Sequence, residues 1–99
     1  MGERLDRVVA TLRARREALK GMGVHHAAVF GSLARDEAGA RDADILVDVD
    51  PAVVRTLFDL GGLQQTLEAW LAMPVDVARR DALRPETAEL VERERVDAF

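Results

Sequence analysis

Apolar residues first recur at helical spacing. Leu5, Val8, Val9, Leu12, Leu19 and Met22 mark one face over residues 3–22, with arginines and acids between them, and predict an amphipathic helix. Gly21 and Gly23 supply its stop, and the basic cluster Arg13, Arg15, Arg16 and Lys20 reads as a solvated face. From Val24 to Phe30 the pattern shortens to a buried strand, closed by a turn at Gly31-Ser32. His25 and His26 are neighbours, so on a strand they face opposite sides; both read as structural or surface residues. Ser32 to Glu37 predicts a short helix with Ser32 as its N-cap. A loop pivoting on Gly39 follows, and then a second strand, Ala43 to Val49, buried through Ile45, Leu46 and Val47.

The second half repeats the alternation. Asp50-Pro51 has the form of a helix start, with an acid at the cap and proline at the first helical position. Val54, Leu57 and Phe58 make a partial apolar face, which Gly61-Gly62 interrupts as a bend or as a loop between two helices. Leu63, Leu67, Trp70 and Leu71 form a clearer stripe, with Trp70 as a core anchor. Met73 to Ala78 predicts a third strand, and Glu86 to Val96 a last helix with a modest apolar face at Leu90 and Val91. No repeat, low-complexity tract or second domain interrupts the order. The expectation is one small α/β (α+β) domain over residues 1–99.

Composition narrows the class. A 48% hydrophobic and 32% charged chain is ordinary for a globular protein, and with 4% aromatics its core must be aliphatic. A net charge of −4 argues against direct nucleic-acid binding, which needs a basic surface. The absence of cysteine excludes disulfides and thiolate zinc sites. The charged N-terminus is unlike a signal peptide, and no apolar run approaches the ~20 residues of a membrane helix. A soluble cytoplasmic protein is expected.

Candidate chemistry concentrates between Val29 and Asp48. Asp42 and Asp44 stand two positions apart at the start of the second strand, so their carboxylates project together and repel unless a cation lies between them. Hard divalent ions take such oxygen ligands and complete their shells with substrate phosphates. Just upstream, Gly31 permits close backbone approach and Ser32 opens a turn whose N–H groups suit an anion. Asp76, between Val75 and Val77, either turns to water or stands beside Asp42 and Asp44 as a third carboxylate. Asp48 shares their strand face farther from the turn and reads as a strand-end acid, not a ligand.

Gly31-Ser32, Ala34-Arg35, Asp42-x-Asp44 and a later strand aspartate, Asp76, together resemble the minimal nucleotidyltransferases of the polymerase-β-like superfamily. The resemblance covers nearly the whole chain. In two places the chain departs from the usual pattern: Asp36 replaces the glycine after the arginine, and Arg41 precedes the pair where serine is common. Asp36 brings a negative charge near the proposed phosphate site.

The resemblance implies a short mixed sheet flanked by helices. It also implies Mg2+, two ions, held by Asp42, Asp44 and Asp76, and ATP as substrate on Gly31, Ser32 and Arg35. Arg35 would either neutralise developing charge or brace the turn, and bracing is favoured. A chain of this size most resembles the antitoxin half of HEPN–MNT toxin–antitoxin pairs. In those pairs AMP passes to a tyrosine of the HEPN ribonuclease, a hetero-oligomeric partner. The alternative is a non-catalytic antitoxin that neutralises its partner by binding and occlusion.

Overall fold

The computed structural model describes residues 2–99, and its order of elements follows the alternation read from the sequence. Helix α1 (Glu3–Ala14) and helix α2 (Arg16–Gly21) replace the single helix expected over residues 3–22, with Arg15 (φ −99°, ψ 13°) between them. The apolar stripe survives the break, and Leu5, Val8, Val9, Leu12 and Leu19 are all buried. The basic face is exposed as expected at Arg13, Arg15, Arg16 and Lys20, and two of its arginines also make contacts within the fold. Arg13 donates to the carbonyl of Ala98 at 2.8 Å, and the Arg15 guanidinium lies 4.9 Å from the centroid of the Trp70 ring.

Strand β1 (Val24–Phe30) pairs antiparallel with β2 (Ala43–Val49), which pairs in parallel with β3 (Val75–Arg79). A two-residue strand, β4 (Val96–Asp97), adds antiparallel to the other edge of β1, giving the order β3-β2-β1-β4. This is the mixed sheet that was expected, with one strand more. A segment as short as β4 carries no period that sequence could reveal. His25 and His26 fall at an irregularity in the β1–β2 register, and both are exposed.

Side-chain alternation divides the sheet into two faces. Ala27, Val29, Ala43, Ile45, Val47 and Val75 join the residues of α1 and α2, with Leu63 and Leu67, in the main core. The opposite face carries Ala28 and Leu46, over which packs Val91 of helix α5 (Pro85–Glu94). On this second face the even-numbered residues of β2 emerge, Asp44 and Asp48 among them.

The segment after β2 departs from expectation. Asp50 organises a turn, its carboxylate accepting from Ala52 N at 2.9 Å, but residues 51–54 do not become helical. Helix α4 (Leu57–Leu71) begins later, at a capping box: Thr56 Oγ1 accepts from Asp59 N at 3.2 Å, and Asp59 Oδ2 accepts from Thr56 N at 3.2 Å. The helix runs unbroken through Gly61-Gly62, so the glycine pair is neither bend nor loop. Leu57 and Phe58 are 86% and 91% exposed, because the later start turns the first helical turn to solvent. Trp70 packs partly buried against the main core, as an anchor should.

Candidate active site

The site grows out of the junction between β1 and its one-turn successor, helix α3 (Gly31–Ala34). Phe30 is extended (φ −137°, ψ −172°) and stands at the N-cap, so Ser32 is the second helical residue rather than the cap. The helix also ends earlier than Glu37. Glu37 N donates to Ser32 O at 3.0 Å and Asp36 N to Leu33 O at 3.1 Å, with Asp36 left-handed at φ +58°. This is a Schellman ending, in which glycine is the usual reversing residue and a short polar side chain is the next best tolerated. The position therefore suits glycine sterically, and aspartate occupies it here. Its carboxylate lies against Gly2, on the α1 side of the turn.

Gly31 (φ +73°) meets β2 at very close range. A methyl group there would stand 3.0 Å from Cγ and 3.3 Å from Cβ of Asp44, and would collide with Oδ2. Conformation and space thus both demand glycine. Asp44 faces Phe30 across β1 and Asp76 across β3 in the strand register. Asp42 lies in the bend just before β2. Asp42 and Asp76 are exposed while Asp44 is half-buried. Burial, then the charge of Asp76, then that of Asp42 push the Asp44 carboxyl above its ordinary value, against a smaller lowering by Arg35. The tertiary structure therefore brings Asp76 to the pair from more than thirty positions away in sequence. Even so, among the described residues no group of three or more His, Cys, Asp or Glu side chains has its donors gathered for a metal.

Neighbouring contacts hold these positions. Arg4 donates to the carbonyl of Ala40, tying the loop before Asp42 to α1. Ala43 N donates to Pro74 O at 2.9 Å, and Val75 N to Glu68 Oε2 at 3.1 Å, setting β3 in register with β2. Asp48 is half-buried, 3.2 Å from Arg80 Nε in an ion pair that lacks hydrogen-bond geometry. That occupies it away from the other three acids. A depression of about 380 Å³ between His26, Asp48, Arg80 and Arg95 lies at the other end of this face, and none of the three carboxylates lines it.

One participant carried no signal in the sequence. Glu94, the last residue of α5, accepts from Gly31 N at 2.9 Å through Oε1 and from Arg35 Nη1 at 2.8 Å through Oε2. Arg35 is also paired with Glu37 at 2.8 Å, and the two carboxylates, Glu37 first, raise the guanidinium pKa above its ordinary value. The Gly31 N–H is thus engaged within the chain. The N–H and hydroxyl of Ser32 make no hydrogen bond among the described residues. One more acid in a charged helix stands out by its reach across the fold, which no local pattern encodes.

Known proteins resemble this chain in sequence and fold. The family model described as "Nucleotidyltransferase domain" matches residues 10–98. The protein adenylyltransferase MntA of Thermococcus cleftensis is 35% identical over 92 residues, covering 91% of each chain. A solved structure described as a minimal nucleotidyltransferase superposes with a TM-score of 0.67 at 40% identity, over 89% of this chain and 93% of its own. A toxin–antitoxin structure with AMP-PNP superposes with a TM-score of 0.66, over 90% of this chain and 72% of that one. At 17% identity that last likeness is one of fold alone.

Proposed function

The chain belongs to the nucleotidyltransferase domain family and is a nucleotidyltransferase, and on that premise we propose that it transfers AMP from Mg-ATP to a tyrosine hydroxyl of a HEPN-type ribonuclease toxin, so neutralising it. The observation that carries this reading is the placement of Asp44 against Gly31 and opposite Asp76 in the sheet register, with Asp42 two positions before it. Support for the acceptor comes from the relative of nearly equal length named as a protein adenylyltransferase. The toxin–antitoxin complexes of like fold support a protein partner.

The donor chemistry suits Mg2+, which takes carboxylate oxygens: three carboxylates stand at neighbouring positions, one of them half-buried, although their oxygens are not drawn together around one point in this structure. Asp42 and Asp44 would hold the metal that meets the nucleotide phosphates, and Asp76 the metal on the acceptor side. When bound, the ions supply charge neutralisation at the entering and leaving oxygens. Ser32 offers its free N–H and hydroxyl to the departing phosphates. Gly31, with its N–H held by Glu94, contributes shape and close approach, and Arg35 braces the turn. Asp76 takes the proton from the acceptor hydroxyl. That oxygen then bonds to the α-phosphorus, the bond to the β-phosphate oxygen breaks, and pyrophosphate leaves.

The test is the intact mass of the co-expressed partner after incubation with this protein and Mg-ATP, beside an Asp44→Asn control. Mass gained in steps of one AMP, and none in the control, is expected. An unchanged mass with the partner still bound and inhibited would replace transfer by occlusion.

A further inference from the structure

We propose that Glu94 is a positioning residue of the nucleotide site, its carboxylate locking the turn from Gly31 to Arg35 in the shape that presents Ser32 and seats Asp44. The proposal rests on the nucleotidyl-transfer reading above. A four-residue helix is too short to hold itself, since the first turn fixes several dihedrals for a single hydrogen bond. Its geometry must come from outside. Glu94 supplies it from both ends: Oε1 accepts the N–H of Gly31, the first residue, and Oε2 accepts from Arg35, which caps the last.

Glu94 is itself well fixed. Its side chain is only 12% exposed, and α5, of which it is the final residue, packs by Val91 on the sheet. Two residues later the chain enters β4, where Val96 pairs with Val29 of β1. The carboxylate thus ties the C-terminal helix to the turn across 63 positions of sequence. On its other side the turn is bounded by Asp44, whose carboxylate leaves no room for a side chain on Gly31. Glu94 and Asp44 grip the same residue from different elements.

The chemistry of this contact calls for a carboxylate. Both partners are donors, so both atoms facing them must be acceptors. Glutamine would turn an NH2 group toward either the Gly31 N–H or the guanidinium. Aspartate would keep both acceptors and withdraw them by one methylene. Glu94→Gln is therefore the disruptive change, and Glu94→Asp the partial rescue.

Equilibrium binding of Mg-ATP by the wild-type chain, Glu94→Gln, Glu94→Asp, Arg35→Met and the Glu94→Gln/Arg35→Met double variant, with thermal unfolding of each, tests this. Glu94→Gln is expected to weaken Mg-ATP binding roughly ten-fold, the scale of one charge-assisted hydrogen bond. Glu94→Asp should fall between it and wild type. The double variant should bind little worse than either single one, because the two residues act as one clamp. Tighter or unchanged binding by folded Glu94→Gln, or additive losses, would overturn the proposal. Should Glu94→Gln not fold, undiminished binding by Arg35→Met would overturn it instead. A wild-type chain that does not bind Mg-ATP removes the underlying reading and this proposal with it, whereas wild-type binding with unaltered variants removes this proposal alone.

Discussion

The α-carbon of Gly31 rests directly against the carboxylate of Asp44, so the turn after β1 and the first residues of β2 are one packed unit. Gly31→Ala forces a left-handed alanine, at a cost of about 1–2 kcal/mol, and drives its methyl group into Asp44. Transfer should fall by about a hundredfold as the carboxylate is displaced. Adding Asp44→Ala should restore part of the melting temperature and none of the activity. A double variant no more stable than Gly31→Ala would show that the contact is not the source of the strain.

Asp44 is held in a setting that opposes its charge. Its carboxyl is raised by burial and by Asp76 and Asp42, so the native state binds its proton more tightly than the unfolded chain does. Stability from this group is therefore present below the unfolded value, near pH 4, and lost as pH rises through the higher folded value. Without metal, Asp44→Asn should melt above wild type at neutral pH, with the gap closing toward pH 4. Mg2+ should raise the melting temperature of wild type more than that of the variant. Thermal scans across pH, with and without Mg2+, decide both points.

The capping box behaves in the opposite sense. Hydrogen bonds from the backbone of Arg55 and Thr56 hold the Asp59 carboxyl below its ordinary value. Its stabilisation is present above the unfolded carboxylate range and is lost as pH falls through the lowered folded value. Asp59→Asn should flatten the acid limb of the stability curve. Thr56→Ala should cost about 1 kcal/mol in denaturant titration at neutral pH.

Leu57 and Phe58 sit on the first turn of α4 with almost their whole side chains in solvent. Serine at either position should change stability by no more than about 0.5 kcal/mol. Leu67→Ala, fully buried on the same helix, should cost about 2–5 kcal/mol. Urea midpoints of the three variants make the contrast, and equal losses would contradict the burial described.

What the linear chain determined was local. The stripe Leu5, Val8, Val9, Leu12 and Leu19 named the core face of the first helices, and the apolar runs named the three longer strands, because side-chain period follows backbone geometry. The spacing of Gly31-Ser32 to Asp42-x-Asp44 marked the family, since a turn and a strand start leave fixed residue types at fixed distances. The boundaries that slipped were those where tertiary contacts compete with local preference: Ser32 lost the cap to a strand that runs directly into the turn, and α4 began at Leu57 instead of Pro51. Only the folded chain could decide which acids meet. The parallel register of β2 and β3 sets Asp76 opposite Asp44, and the close of α5 delivers Glu94 to Gly31 and Arg35. Such contacts join elements far apart in sequence, and strand order, register and helix docking are properties of the whole chain with no local pattern to announce them.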